Sequence, residues 1–185
     1  MLCLSEAERK SILELARKAV EEAVYRKRLL AEIPKAGLFA ERYGVFVTLR
    51  VRGRLRGCIG VIEASESLGE SLVRSAASAA REDPRFKAMQ AEELRELKIE
   101  ISLLSPKQRI LPEQVETGRH GLFLEQGMHR GLLLPQVAVD HKLSAEQFLR
   151  ELCHKAGLAA DAWKAPETRI YAFTCEIVRE STEGG

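Results

Sequence analysis

The stretch RVRGRLRGCIG, Arg50 to Gly60, sets four arginines within seven positions and then a cysteine framed by glycines. A guanidinium beside a thiol favours the thiolate, which is both the nucleophilic and the metal-binding form of cysteine. Gly57 and Gly60 leave the backbone unshielded, so a ligand can come close to the amides. Cys58 is therefore the candidate reactive residue, as nucleophile, proton donor or acyl acceptor. Leu55, Arg56, Gly57, Ile59 and Gly60 are the candidate binding residues around it, with Arg56 and the glycine-flanked amides suited to holding a small anion. A plainer reading stays open beside this one: arginines at a hairpin tip serve as solvated edge protection, and a cysteine serves as a small core hydrophobe.

Other stretches offer fewer groups. In EDPRF, Glu82 to Phe86, Pro84 stops a helix and Phe86 can anchor the loop, while Asp83 and Arg85 reach the cysteine if the loop returns over the hairpin. His120, at a strand start between Arg119 and Gly121, is the best placed of four histidines, none of which has metal-ligand spacing. Gln136 follows Pro135 in LLLPQVA, where the proline is read as the stop of a buried strand. There is no phosphate-binding glycine loop, zinc pattern or serine elbow, so no cofactor and no metal are expected.

The elements that must position these residues follow from periodicity. Ser5 and Glu8 form a capping box ahead of Ile12, Leu15, Ala16, Ala19 and Ala23, predicting a helix to about Leu30. GVFVTLRVRG and LRGCIGVIE read as a hairpin, residues 66–83 as a helix, and LKIEISLLS as a strand with Leu97, Ile99, Ile101 and Leu103 inward. A second hairpin is expected to turn at Gln126-Gly127. A helix capped by Ser144 and Gln147 is ended by Gly157, a last strand covers TRIYAFTCEIVRE, and the tail STEGG is expected to be loose.

Two registers compete in the first hairpin. A two-residue loop, Arg52-Gly53, pairs Leu49 with Arg56 and Val47 with Cys58, mixing polar and apolar residues on both faces. A three-residue loop beginning at Val51 pairs Leu49 with Leu55, Thr48 with Arg56 and Phe46 with Cys58. It gathers Val45, Val47, Leu49, Leu55, Ile59 and Val61 on one apolar face, and is the register expected because burial of that face fixes it. Phe46, Thr48, Arg50, Arg54, Arg56, Cys58 and Ile62 then share the other face, with the thiol two positions from a guanidinium.

Strands separated by helices, with hairpins rather than regular crossovers, predict an α+β fold: an antiparallel sheet with helices packed on it. The 185 residues suit one compact unit, with the segment from about 107 to 166 as a smaller lobe and residues 1–106 plus 167–185 as the larger. Hydrophobic residues are 45% and charged residues 30%, a soluble globular composition. With 29 basic and 27 acidic side chains the formal net charge is +2, which disfavours nucleic acid as a partner. Cys3, Cys58, Cys153 and Cys175 lack paired spacing, and the charged opening MLCLSEAERK gives no apolar leader, so free thiols and a cytoplasmic location are expected. No apolar run approaches the ~20 residues of a membrane helix.

The ordered set FVTL, LRGCIG, DPRF, IEISLLSP, HGL and RGLLLPQVA resembles the AMMECR domain family, whose bacterial and archaeal members are called AmmeMemoRadiSam system protein A. The match runs from about Ala40 to Trp163, and LRGCIG is that family's signature. The resemblance implies two unequal lobes with the signature facing a cleft between them, where substrate recognition is expected, and association with Memo-type and radical S-adenosylmethionine proteins. It carries no reaction with it. After LLPQVA the family has a glutamate and then a tryptophan; here Asp140 and Leu143 stand there, so Asp140 is a further candidate and no indole is available, while Trp163 does match. Three classes of function follow: an enzyme or enzyme component binding a small anionic substrate in that cleft, a non-catalytic partner-binding module, and, least favoured, a nucleic-acid-associated factor.

Overall fold

In a computed structural model, the described residues are 4–63 and 65–180. They fall into two compact units, residues 4–104 with 176–180 and Ser105–Cys175. Cys3 and the tail STEGG lie outside the described residues.

The first unit begins with α1, Glu6–Arg26, where the Ser5 side chain accepts the Glu8 N–H and the Glu8 carboxylate accepts the Ser5 N–H. Lys27, left-handed at φ 55°, ends the helix short of the expected Leu30. α2, Leu68–Arg81, opens on a like box made by Ser67 and Glu70. β1, Gly44–Val51, pairs antiparallel with both β2, Arg54–Val61, and β3, Leu97–Leu104. Alternation sets Val45 opposite Leu103, Val47 opposite Ile101 and Leu49 opposite Ile99, and all six are buried with residues of α1 and α2 in one core. Each such side chain contributes about 1.5–3 kcal/mol on leaving water, and that repeated gain fixes which face of β1 looks inward. Ser75, Ala76, Ala79 and Ala80 give α2 a surface of small side chains, so its backbone comes close to the sheet.

The expected register of the first hairpin is overturned. Arg52 and Gly53 form a two-residue turn, both left-handed at φ 52° and 73°, with Val51 opposite Arg54 and Arg50 opposite Leu55. A bulge then absorbs Arg56, so Leu49 faces Gly57, Thr48 faces Cys58 and Val47 faces Ile59. The bulge returns Gly57, Ile59 and Val61 to the face of Val45, Val47 and Leu49, while Leu55 leaves that face and is 37% exposed.

The second unit holds β4, Gln108–Arg109; β5, His120–Gln126; β6, His129–Leu133; α3, Pro135–Asp140; α4, Ala145–Lys155; and the start of β7, Arg169–Arg179. β5 pairs antiparallel with β6 and with β7, and β4 also pairs with β7. Leu122, Leu124, Phe148, Leu149, Leu152, Ile170 and Ala172 form its core. Ser144 and Gln147 cap α4 as expected, and Gly157 at φ 72° follows its end. The hairpin turn falls at Gly127-Met128, one residue later than expected. Pro135 does not simply stop a strand: it occupies the first turn of α3, where a missing N–H costs nothing. The last residues of β7, from Glu176, belong to the first unit, where the Glu180 N–H donates to the Ile99 carbonyl.

Candidate functional site

Cys58 sits on β2 on the sheet face opposite α1 and α2, half-buried, directly across from Thr48. The Thr48 hydroxyl lies 3.3 Å from Sγ and donates to it. Thr48 in turn faces Glu100 across β1 and β3, and Arg179 Nε donates to the Glu100 carboxylate at 2.7 Å. Thiol, hydroxyl, carboxylate and guanidinium therefore form one cross-strand row, since residues directly opposite on antiparallel strands share a face.

The backbone of Cys58 is held by the loop after α2. Asp83 Oδ2 accepts the Cys58 N–H at 2.8 Å, and Arg85 reaches the Cys58 carbonyl at 3.4 Å. Asp83 and Arg85 are themselves joined, Nε to Oδ1 at 2.9 Å and the second nitrogen to Oδ2 at 2.7 Å. This one pair satisfies the outward N–H and C=O of an edge strand, as a neighbouring strand would. Asp83 is 3% exposed. The Arg85 guanidinium first, then the amides of Cys58 and Arg85, hold its carboxyl well below the usual carboxylate range against the opposing cost of burial. The Arg85 side chain is 53% exposed.

Arg56 takes a different part from the one expected. It donates twice to Glu93, at 2.6 and 3.0 Å, and its guanidinium carbon lies 5.9 Å from the centre of the Phe86 ring. Arg85 stands 5.5 Å from the same ring, so Phe86 is gripped by two guanidinium groups. Arg56 in turn lowers the pKa of Glu93. One terminal nitrogen of Arg56 is buried without a hydrogen-bond partner among the described residues.

The signature glycines are spent on packing. A Cβ on Gly57 would lie 2.0 Å from the Ala79 carbonyl oxygen of α2, and one on Gly60 would lie 2.1 Å from the Val45 oxygen. Ile59 packs against the core of the first unit and Leu55 is exposed at the tip. Sequence reasoning placed Asp83 and Arg85 correctly as conditional neighbours of the cysteine; it missed Thr48 as the thiol's partner, and Glu93, Glu100 and Arg179, whose pairings are long-range.

The remaining candidates lie in the other unit. His120 Nδ1 accepts the Glu116 N–H at 3.2 Å, and the ring lines a cavity of about 300 Å³ with Ser105, Gln108 and Thr174. Gln136 is near Cys175, Nε2 to Sγ 4.0 Å, with its side-chain oxygen buried and unpartnered among the described residues. Asp140 is exposed at the end of α3, and Leu143 packs on the second core. Among the described residues no group of three or more His, Cys, Asp or Glu side chains is placed to hold a metal ion, and no helix is long and apolar enough to cross a membrane.

Fold and site together define an α+β protein built on antiparallel sheet, with a cysteine on an edge strand tied down by an Asp-Arg pair. The AMMECR1 family model matches residues 13–178, and the chain belongs to that family. It is 41% identical over 187 residues to a protein of Methanothermobacter thermautotrophicus, covering 96% of each chain. It is 42% identical to Protein TK0174 of Thermococcus kodakarensis, over 94% of this chain and 91% of the relative. Among solved structures, the uncharacterized protein PH0010 of Pyrococcus horikoshii is similar with a TM-score of 0.84 and 39% identity, covering 92% of this chain and 90% of that one.

Proposed function

We propose that this chain is an enzyme or enzyme component that binds a small anionic ligand beside Cys58, with Arg85 as the anion's contact and the thiol as the reacting group. The observation that carries this reading is the hold of Asp83 and Arg85 on the Cys58 peptide at both its N–H and its C=O. That hold fixes a partly exposed thiol and a half-exposed cation on backbone that cannot drift, the preorganisation that binding and covalent chemistry both need. Arg56, paired with Glu93 and stacked on Phe86, positions the DPRF loop rather than touching the ligand. The test is protection of the thiol: phosphate or acetate should slow labelling of Cys58 by iodoacetamide, read by peptide mapping, and should lose that effect in Arg85→Gln. Labelling indifferent to either anion in the parent protein overturns the reading.

A separate observation favours a second reading, a partner-binding module. Arg50 and Arg54 at the hairpin tip are exposed and meet no carboxylate among the described residues, unlike Arg52, which is paired with Glu96. The tip would then dock an acidic surface of a Memo-type or radical S-adenosylmethionine protein. Co-purification lost in Arg50→Glu/Arg54→Glu but kept in Cys58→Ser would select this reading over the first.

A further inference from the structure

We infer that the Ser105–Cys175 unit carries a second binding site, independent of Cys58, for a small organic anion with an apolar body. The site is a cavity of about 400 Å³, within the range of small-ligand pockets. Ile110, Leu111, Pro166 and Trp163 give it apolar walls, and Leu111 is left 64% exposed beside it. Two cations, Arg109 and Lys164, line it against a single carboxylate, Glu113. Neither cation has an ion-pair partner among the described residues, in contrast to Arg52 and Arg56, each of which is held by a carboxylate. The Lys164 ammonium lies 4.9 Å from the centre of the Trp163 ring, so charge and aromatic surface meet at one wall. Apolar walls to bury a body and unneutralised cations to hold a head together specify an alkyl or aryl carboxylate or phosphate rather than an inorganic ion or a neutral solute.

Trp163 is the chain's single tryptophan, so its emission reports this cavity directly. The full chain is titrated with hexanoate and hexyl phosphate, and with 1-hexanol and inorganic phosphate, which lack the head or the body. At least one of the two amphiphilic anions should change Trp163 emission saturably, with 1-hexanol and phosphate at least about tenfold weaker. Arg109→Gln/Lys164→Gln should raise the midpoint at least about tenfold while leaving thermal unfolding unchanged, both side chains being on the surface. No saturable response to either anion, an equal response to 1-hexanol, or an unaltered midpoint in the double variant would overturn the inference.

Discussion

Asp83→Asn removes the charge that ties the DPRF loop to the signature strand. The Asp83 carboxylate receives the Cys58 N–H at 2.8 Å and two side-chain donors of Arg85 at 2.7 and 2.9 Å, from a position almost out of water. A hydrogen bond to a charged, buried acceptor contributes about 1.5–3 kcal/mol, which applies to the Cys58 amide. The Arg85 side chain is half in solvent, so its pairing adds only about 0–1 kcal/mol. Asparagine must also turn an NH₂ toward either the Cys58 amide or the guanidinium, donor against donor. The expected loss at pH 7 is therefore about 2–4 kcal/mol, measured by urea unfolding. The pH dependence has a fixed sign. A carboxyl held below its unfolded value of about 3.9 stabilises fully above about pH 5, and that contribution fades as pH falls through 4 and below. The gap between parent and variant should narrow from pH 7 to pH 3. A loss under about 0.5 kcal/mol at pH 7, or a gap of constant size across that range, would refute the reasoning.

Three other predictions rest on single contacts. Gly57→Ala drives a Cβ to 2.0 Å from a helix carbonyl that no side-chain rotation can clear, so a loss of about 3 kcal/mol or more and a melting point lower by about 6–12 °C are expected; Gly53→Ala, with open space and only a left-handed φ to strain it, should lose about 1–2 kcal/mol. Glu93→Gln should cost about 1–2 kcal/mol at pH 7 in urea unfolding, and less as pH falls below 4, because the parent's lowered carboxyl is then protonated too. Cys153 is fully buried and its thiol is pushed up by desolvation, so under native conditions at pH 8 it should react with iodoacetamide only as fast as the protein opens; rapid labelling would contradict its place in the second core.

What could be read from the sequence was what depends on local chemistry. Capping boxes at Ser5 and Ser144 act over three residues, and the alternation Val45, Val47, Leu49 against Ile99, Ile101, Leu103 depends only on a period of two. The hairpin register failed because alternation counts residues and a bulge breaks the count. The requirement that overrides it, a residue without a Cβ where Ala79 of α2 meets the strand, is tertiary. α3 was hidden because proline starts helices as readily as it stops them. Around Cys58, the approach of Asp83 and Arg85 was legible as a condition on the loop's path, since proline and acid in DPRF mark a loop with polar groups to spare. The Arg56 partner was not, because Glu93 lies 37 residues away and nothing in either stretch names the other.

The central claim is that Arg85 presents an anion to Cys58, and a pair of reagents with one electrophile and different charge tests it most directly. Iodoacetate is anionic and iodoacetamide neutral, so the ratio of their rates at Cys58, read by peptide mapping, isolates the local charge from the reactivity of the thiol. A cation at about 4 Å in a water-like surround is worth about 1 kcal/mol, roughly fivefold in that ratio. Arg85→Gln should lower the ratio about fivefold, while Arg54→Gln at the exposed tip should leave it unchanged. A ratio that is the same with and without the Arg85 charge would contradict the account.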